Sequence, residues 1–143
     1  MTRSTTPMLV SNVPRFPDSP LAAVAVIPAR FAAQRFPGKP LHPIAGIPMV
    51  VRVLERARSA RKVDAVLVAT DDERIARVVE EAGGIAVLTD PDLPSGTDRI
   101  WAAVKEMDVA VVINVQGDEP MLEPENIDRV AAFLLANPAF PLA

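Results

Sequence analysis

Four short apolar runs decide what this chain can become. Ala22 to Ile27, Ala65 to Ala69, Ile85 to Leu88 and Val109 to Val115 are rich in valine, isoleucine and leucine, and each is too short for an ordinary helix. They read as strands buried on both faces, since no polar residue alternates within them. Helical spacing fills the intervals. In Pro48 to Ala60, residues Val50, Val53, Leu54 and Ala57 share one face. Arg52, Glu55, Arg56 and Arg58 lie largely on the other, which reads as a solvated face. A second helix is expected from Asp72 to Ala82, capped by the Thr70-Asp71-Asp72 triplet and stopped by Gly83-Gly84. A third starts at Thr97 or Asp98 and runs to about Met107. A fourth spans Pro124 to Asn137, and Phe140 to Ala143 reads as the start of a fifth strand. Strand and helix alternating at this cadence predict an α/β fold: a mainly parallel sheet with helices on both faces and right-handed crossovers.

The chain has 143 residues, enough for one domain with a real core. Residues 21–143 carry the alternating pattern. Residues 1–20 contain Pro7, Pro14, Pro17 and Pro20 among several Ser and Thr, and read as a flexible N-terminal extension without the apolar core of a signal peptide. A net charge of −3 does not suit a protein that coats nucleic acid or an acidic membrane. With no cysteine and a single histidine, His42, disulfides, thiol nucleophiles and multi-histidine metal clusters are excluded. No apolar run approaches the roughly 18 residues that would span a bilayer. A cytoplasmic location is expected.

Three motifs carry chemistry. The first strand breaks at Pro28 into a loop that holds Arg30, Arg35 and Lys39, punctuated by Pro37-Gly38 and Pro40. Ligands of open α/β sheets sit beyond the carboxyl ends of the strands. Three cations there suit a triphosphate, with arginine offering a planar fork of donors and lysine a mobile point charge. Neither a Walker A loop nor G-x-G-x-x-G is present. The second motif is Asn114-Val115-Gln116-Gly117-Asp118-Glu119-Pro120. It brings Asp118 to the same edge of the sheet, where one carboxylate beside a triphosphate suits Mg2+. Gly117 reads as the residue that allows a tight turn, and Glu119 is the weaker metal candidate. The third is Ser95-Gly96-Thr97-Asp98-Arg99. Thr97 as N-cap, Gly96 in a turn and Arg99 exposed in the first helical turn would explain it structurally. Ser95 and Arg99 could equally donate to a nucleobase, with a backbone carbonyl near Ala29 or Ala69 accepting from its amine. Trp101 reads as core or half-buried packing, and Asp71 and Asp72 as capping residues.

Pro28-Ala29-Arg30 followed by Arg35-Phe36-Pro37-Gly38-Lys39-Pro40-Leu41 resembles the N-terminal signature of the 3-deoxy-manno-octulosonate cytidylyltransferases, or CMP-KDO synthetases. The NVQGDEP and SGTDR segments resemble the same family. The resemblance implies a Rossmann-like three-layer α/β/α nucleotidyltransferase fold. It implies the reaction of CTP with KDO to give CMP-KDO and pyrophosphate, for lipopolysaccharide biosynthesis. Arg30, Arg35 and Lys39 would be the catalytic cations around the phosphates. Ala29, Ser95, Arg99 and Gln116 would bind the nucleotide, and Asp118 would hold Mg2+. The family works as a homodimer and its chains continue well past residue 143, adding strands, most of the sugar site, a second metal ligand and the dimer interface. The expectation is therefore the nucleotide-binding half of a cytidylyltransferase domain. Two other readings stand beside it. One is another sugar nucleotidyltransferase, such as a CMP-sialate synthetase, which shares an I-P-A-R start. The other is a CTP-binding fragment without catalysis, with a sheet edge open to pairing with another chain.

Overall fold

A computed structural model describes residues 21–31 and 37–137. The N-terminal extension, Arg35 and the expected fifth strand fall outside these residues. Four strands form one sheet: β1 (Leu21–Ala29), β4 (Ala65–Thr70), β5 (Ile85–Leu88) and β6 (Val109–Asn114), in the order β5-β4-β1-β6. All its pairings are parallel, as the apolar runs predict. The helices are α1 (Met49–Arg58), α2 (Glu73–Glu81), α3 (Gly96–Val104) and α4 (Pro124–Ala136).

The two faces of the sheet are covered unequally. Ala23, Ala25, Ile27, Val66, Val68, Val111 and Ile113 point to one side and pack under α1, α2 and α4, where Leu54, Ile75, Val79 and Ala131 are fully buried. Val24, Val26, Leu67, Ala69 and Val112 point to the other and pack under α3, through Ile100, Ala103 and Val104. This is a three-layer α/β/α arrangement. Strand β1 lies in its interior, and Val24 to Ile27 have no exposed surface.

The first strand runs further than its sequence suggests. Pro28 does not break it, because Pro28 and Ala29 still pair with Ala69 and Thr70. The reason lies in the register. Val26 O accepts from Val115 N, so Pro28, two residues on, turns its missing N–H toward the same side. There β6 has already ended, and no ladder hydrogen bond is lost.

Other local expectations are corrected by partners far away in sequence. Pro48 is the N-cap of α1 instead of its first residue. It also closes a two-stranded antiparallel ribbon, β2 (Pro43–Ile44) and β3 (Ile47–Pro48), which the apolar pattern did not announce. Glu55 and Arg58 are exposed, as expected of a solvated face, but the α1 arginines also act as staples. Arg52 Nε and Nη2 donate to Ile44 O at 3.1 and 3.0 Å, Arg56 Nε donates to Leu122 O at 2.8 Å, and Arg58 Nη1 donates to Ala82 O at 3.1 Å. Trp101 is not core: 64% of its surface is exposed, because on α3 the sheet-facing positions are Ile100, Ala103 and Val104. Helix α3 begins and ends earlier than expected, with Ser95, not Thr97, at its N-cap.

Candidate active site at the carboxyl end of the central strand

The three motifs converge on Pro28. A Cβ on Gly117 would lie 2.8 Å from Pro28 O, so the turn after β6 is pressed against the end of β1. Gly117 has no positive φ. The chain does turn at Gly117-Asp118, as expected, and the missing side chain serves this close approach instead of a left-handed conformation. A Cβ on Gly96 would lie 3.6 Å from Pro28 Cγ, which puts the start of α3 against the same residue. Ala29, buried, ends the strand, and Arg30 follows it directly.

Lys39 opens a short 3-10 turn, Lys39–Leu41, whose N-cap Gly38 is left-handed at φ 77°. Its Nζ lies 3.8 Å from Asp118 Oδ2, both side chains being partly exposed. The basic loop and the acidic turn thus meet at one edge of the sheet. Gln116, exposed, borders a cleft between the end of β6 and α4, together with Asn114, Glu119, Met121 and Asn126. Among the described residues no group of three or more His, Asp or Glu side chains could hold a metal by itself.

The SGTDR segment divides its work. Ser95 Oγ accepts from Asp98 N at 3.1 Å and donates to Asp98 Oδ2 at 2.8 Å, a capping pair that occupies the hydroxyl. Arg99 is not an exposed first-turn residue. It has no exposed surface. Its Nη1 donates to Thr89 Oγ1 and, at 3.2 Å, to Asp90 O. Its Nε and Nη2 are buried without an acceptor. Burial pushes the guanidinium below its ordinary value; Asp71 opposes that shift, Arg30 adds to it, and Asp90 opposes it. A buried cation with two idle donors is costly unless an acceptor arrives. Arg99 is therefore placed to receive one.

The capping role of Asp72 is as expected, whereas Asp71, Phe31 and Arg74 come into view only in the fold. Asp72 caps α2, its Oδ1 accepting from Arg74 N at 2.7 Å. Asp71 does something else: its Oδ1 accepts from Phe31 N at 3.1 Å, at the entrance to the basic loop. The Arg74 guanidinium lies over the Phe31 ring, 3.6 Å from its centroid. The only sequence cue for these residues is that Thr70-Asp71-Asp72 follows a buried strand and so must reach the same edge as Arg30.

Comparison with known proteins agrees with this geometry. Residues 24–140 match the family model described as Cytidylyltransferase. The chain is 52% identical over 126 residues to the 3-deoxy-manno-octulosonate cytidylyltransferase of Rhodospirillum rubrum, covering 85% of this chain and 50% of that protein. It is 51% identical over 115 residues to the enzyme of the same name from Geobacter sulfurreducens, covering 80% of this chain and 46% of the other. Among solved structures it is similar to CMP:2-keto-3-deoxy-manno-octonic acid synthetase complexed with CTP. There the TM-score is 0.81 at 43% identity, over 84% of this chain and 50% of that one. A cytidylyltransferase from Leptospira borgpetersenii, at 22% identity and a TM-score of 0.71, shares the fold. The chain spans about half the length of the curated relatives it matches. By its family match, its sheet and the convergence of its three motifs, the chain belongs to the cytidylyltransferase family.

Proposed function

We propose that this chain carries the CTP-binding half of a CMP-KDO synthetase, the activity that couples CTP and KDO to CMP-KDO and pyrophosphate. The observation that carries the reading is the meeting of Lys39 with Asp118 at the carboxyl end of the sheet, in a chain about half identical to enzymes of that name. In the reaction the anomeric hydroxyl of the sugar acid attacks the α-phosphorus in line. A new P–O bond forms, the bond to the β-phosphate oxygen breaks, and the hydroxyl proton passes to water. No protein nucleophile is required. Catalysis is positioning and charge stabilisation. Lys39, Arg30 and Arg35 bind the triphosphate and neutralise the charge that builds on pyrophosphate as it leaves. Arg99 offers its two idle donors to the nucleotide, and Ala29, Ser95 and Gln116 are the further nucleotide-binding residues.

Asp118 fits a magnesium ligand. It is an exposed carboxylate beside Lys39, and magnesium takes one or two carboxylates and fills its other positions with water and phosphate oxygens. When bound, the ion would add positive charge against the phosphate oxygens.

A second reading is CTP binding without turnover. Pyrophosphate release from CTP with KDO and magnesium, on protein of verified mass, separates the two. KDO-dependent release that Asp118→Ala abolishes supports a complete site. CTP binding that Lys39→Ala abolishes, without release, supports the second reading. Neither binding nor release would overturn both.

A further inference from the structure

Phe31 is held from four directions. Its N–H donates to Asp71 Oδ1 at 3.1 Å. Its carbonyl accepts from Gly38 N at 2.6 Å. The Arg74 guanidinium covers its ring, 3.6 Å from the centroid. Gly38 lies on the ring's edge, so that a Cβ there would come within 3.1 Å of Phe31 Cε1.

The partners are themselves fixed. Arg74 Nε and Nη2 donate to Asp72 Oδ1 and Oδ2 at 3.0 and 2.8 Å, which sets the plane of the guanidinium. Asp71 and Asp72 directly follow β4, the parallel neighbour of β1. The Gly38–Phe31 hydrogen bond ties the two ends of the basic loop together. Arg30 precedes that closure and Lys39 follows it. Phe31 thereby fixes the backbone beside both cations.

We propose that Phe31, clasped by Arg74 and Asp71, is a positioning residue that holds Arg30 and Lys39 at the spacing of a nucleoside triphosphate. The proposal rests on the CTP-binding reading above. Its energetic logic differs from that of a core residue. Phe31 is only partly buried, and Arg74 is largely exposed. An exposed ion pair adds little to stability. A pair that adds little to folding but fixes one ring over a loop closure acts on what the loop binds.

The test is calorimetric titration of CTP and of CMP, with magnesium, into the full chain and its Phe31→Leu, Phe31→Tyr and Arg74→Met variants. CMP lacks the β- and γ-phosphates, so a misplaced pair of cations costs it less. Phe31→Leu and Arg74→Met are expected to weaken CTP about tenfold, well within what a misplaced binding group can cost, and to leave CMP nearly unchanged. Phe31→Tyr, which keeps the ring, is expected to restore CTP binding. Arg74→Met is a surface change that leaves folding intact, and thermal midpoints report this directly. CTP affinity unaltered in both variants overturns the clasp alone. So does an equal loss of CTP and CMP, which is the mark of a structural role. A wild-type chain that binds neither nucleotide overturns the CTP-binding reading, and the clasp with it.

Discussion

Gly117 and Pro28 are in contact through the space where a side chain would be. A Cβ at 117 would sit 2.8 Å from the Pro28 carbonyl oxygen, a backbone atom that cannot swing aside. Gly117→Ala must push the acidic turn off the end of β1. Overpacking of this kind typically costs about 1–3 kcal/mol. Thermal denaturation should show the loss, and CTP binding should fall with it, because Asp118 is the next residue. An alanine variant as stable as wild type would mean that the turn can shift freely.

Lys39 and Asp118 predict the opposite balance. Their charges are 3.8 Å apart and partly exposed, so the pair contributes on the order of 0–1 kcal/mol to stability. Lys39→Ala should leave the thermal midpoint nearly unchanged. It should weaken CTP about tenfold or more, the equivalent of one charge-assisted hydrogen bond to phosphate at roughly 1.5–3 kcal/mol. Thermal denaturation and titration calorimetry of Lys39→Ala check the two halves of the statement.

Arg99 should be worth more to binding than to folding. The unliganded chain buries its guanidinium with Nε and Nη2 unmatched. Arg99→Met removes that cost and fills much of the same volume. It gives up only the bonds to Thr89 and Asp90. Its stability should fall within about 1 kcal/mol of wild type or exceed it, as when buried ion sites are replaced by apolar side chains. CTP binding should nevertheless drop. Severe destabilisation of Arg99→Met without ligand would show that the two bonds it makes outweigh the two it lacks.

Asp72 sets an acid limit. Its side-chain bonds to Arg74 hold its carboxyl below the ordinary aspartate value, against a smaller opposing effect of burial. A depressed folded-state pKa stabilises the fold above the unfolded value, near 3.9, and that stabilisation is lost as pH falls through the folded value. Denaturation midpoints measured from neutral pH down to about pH 3 should therefore fall less steeply for Asp72→Asn than for wild type. Asp72→Ala also loses the cap of α2 and should cost roughly 0.5–2 kcal/mol at neutral pH.

Much of this fold is legible in the chain because burial on both faces leaves a plain record. Ala65 to Ala69 and Ile85 to Leu88 are apolar throughout since helices cover both sides of β4 and β5. What escapes a linear reading is whatever depends on a partner far along the chain. Pro28 looks like a break, yet it stays in the strand because β6 stops before reaching it. Ser95 and Thr97 are both good caps by type, and only the course of the backbone selects Ser95. Arg52 and Arg56 look solvated until Ile44 and Leu122 bring carbonyls to them.

The site was legible in the same measure. Lys39 and Asp118 stand out by motif and do meet. Arg99 stands out as well, but its burial and its idle donors are properties of the packing. Asp71 and Phe31 carry no signal of their own. An aspartate after a strand is usually a cap, and only the parallel pairing of β1 with β4 brings it to the loop.

The position of β1 between β4 and β6 also orders events during synthesis. This strand leaves the ribosome before either neighbour. Val24 must wait for Ala65, and Leu21 must wait for Val109. Chain closures of such separation are slow compared with helix formation. The helices can form while β1 is still unpaired, with its apolar surface open to water. Lys39 is present early, but it faces Asp118 only once β6 has docked, and Pro28 gains Gly117 at the same moment. This edge of the sheet is thus complete only when β6 has arrived beside β1.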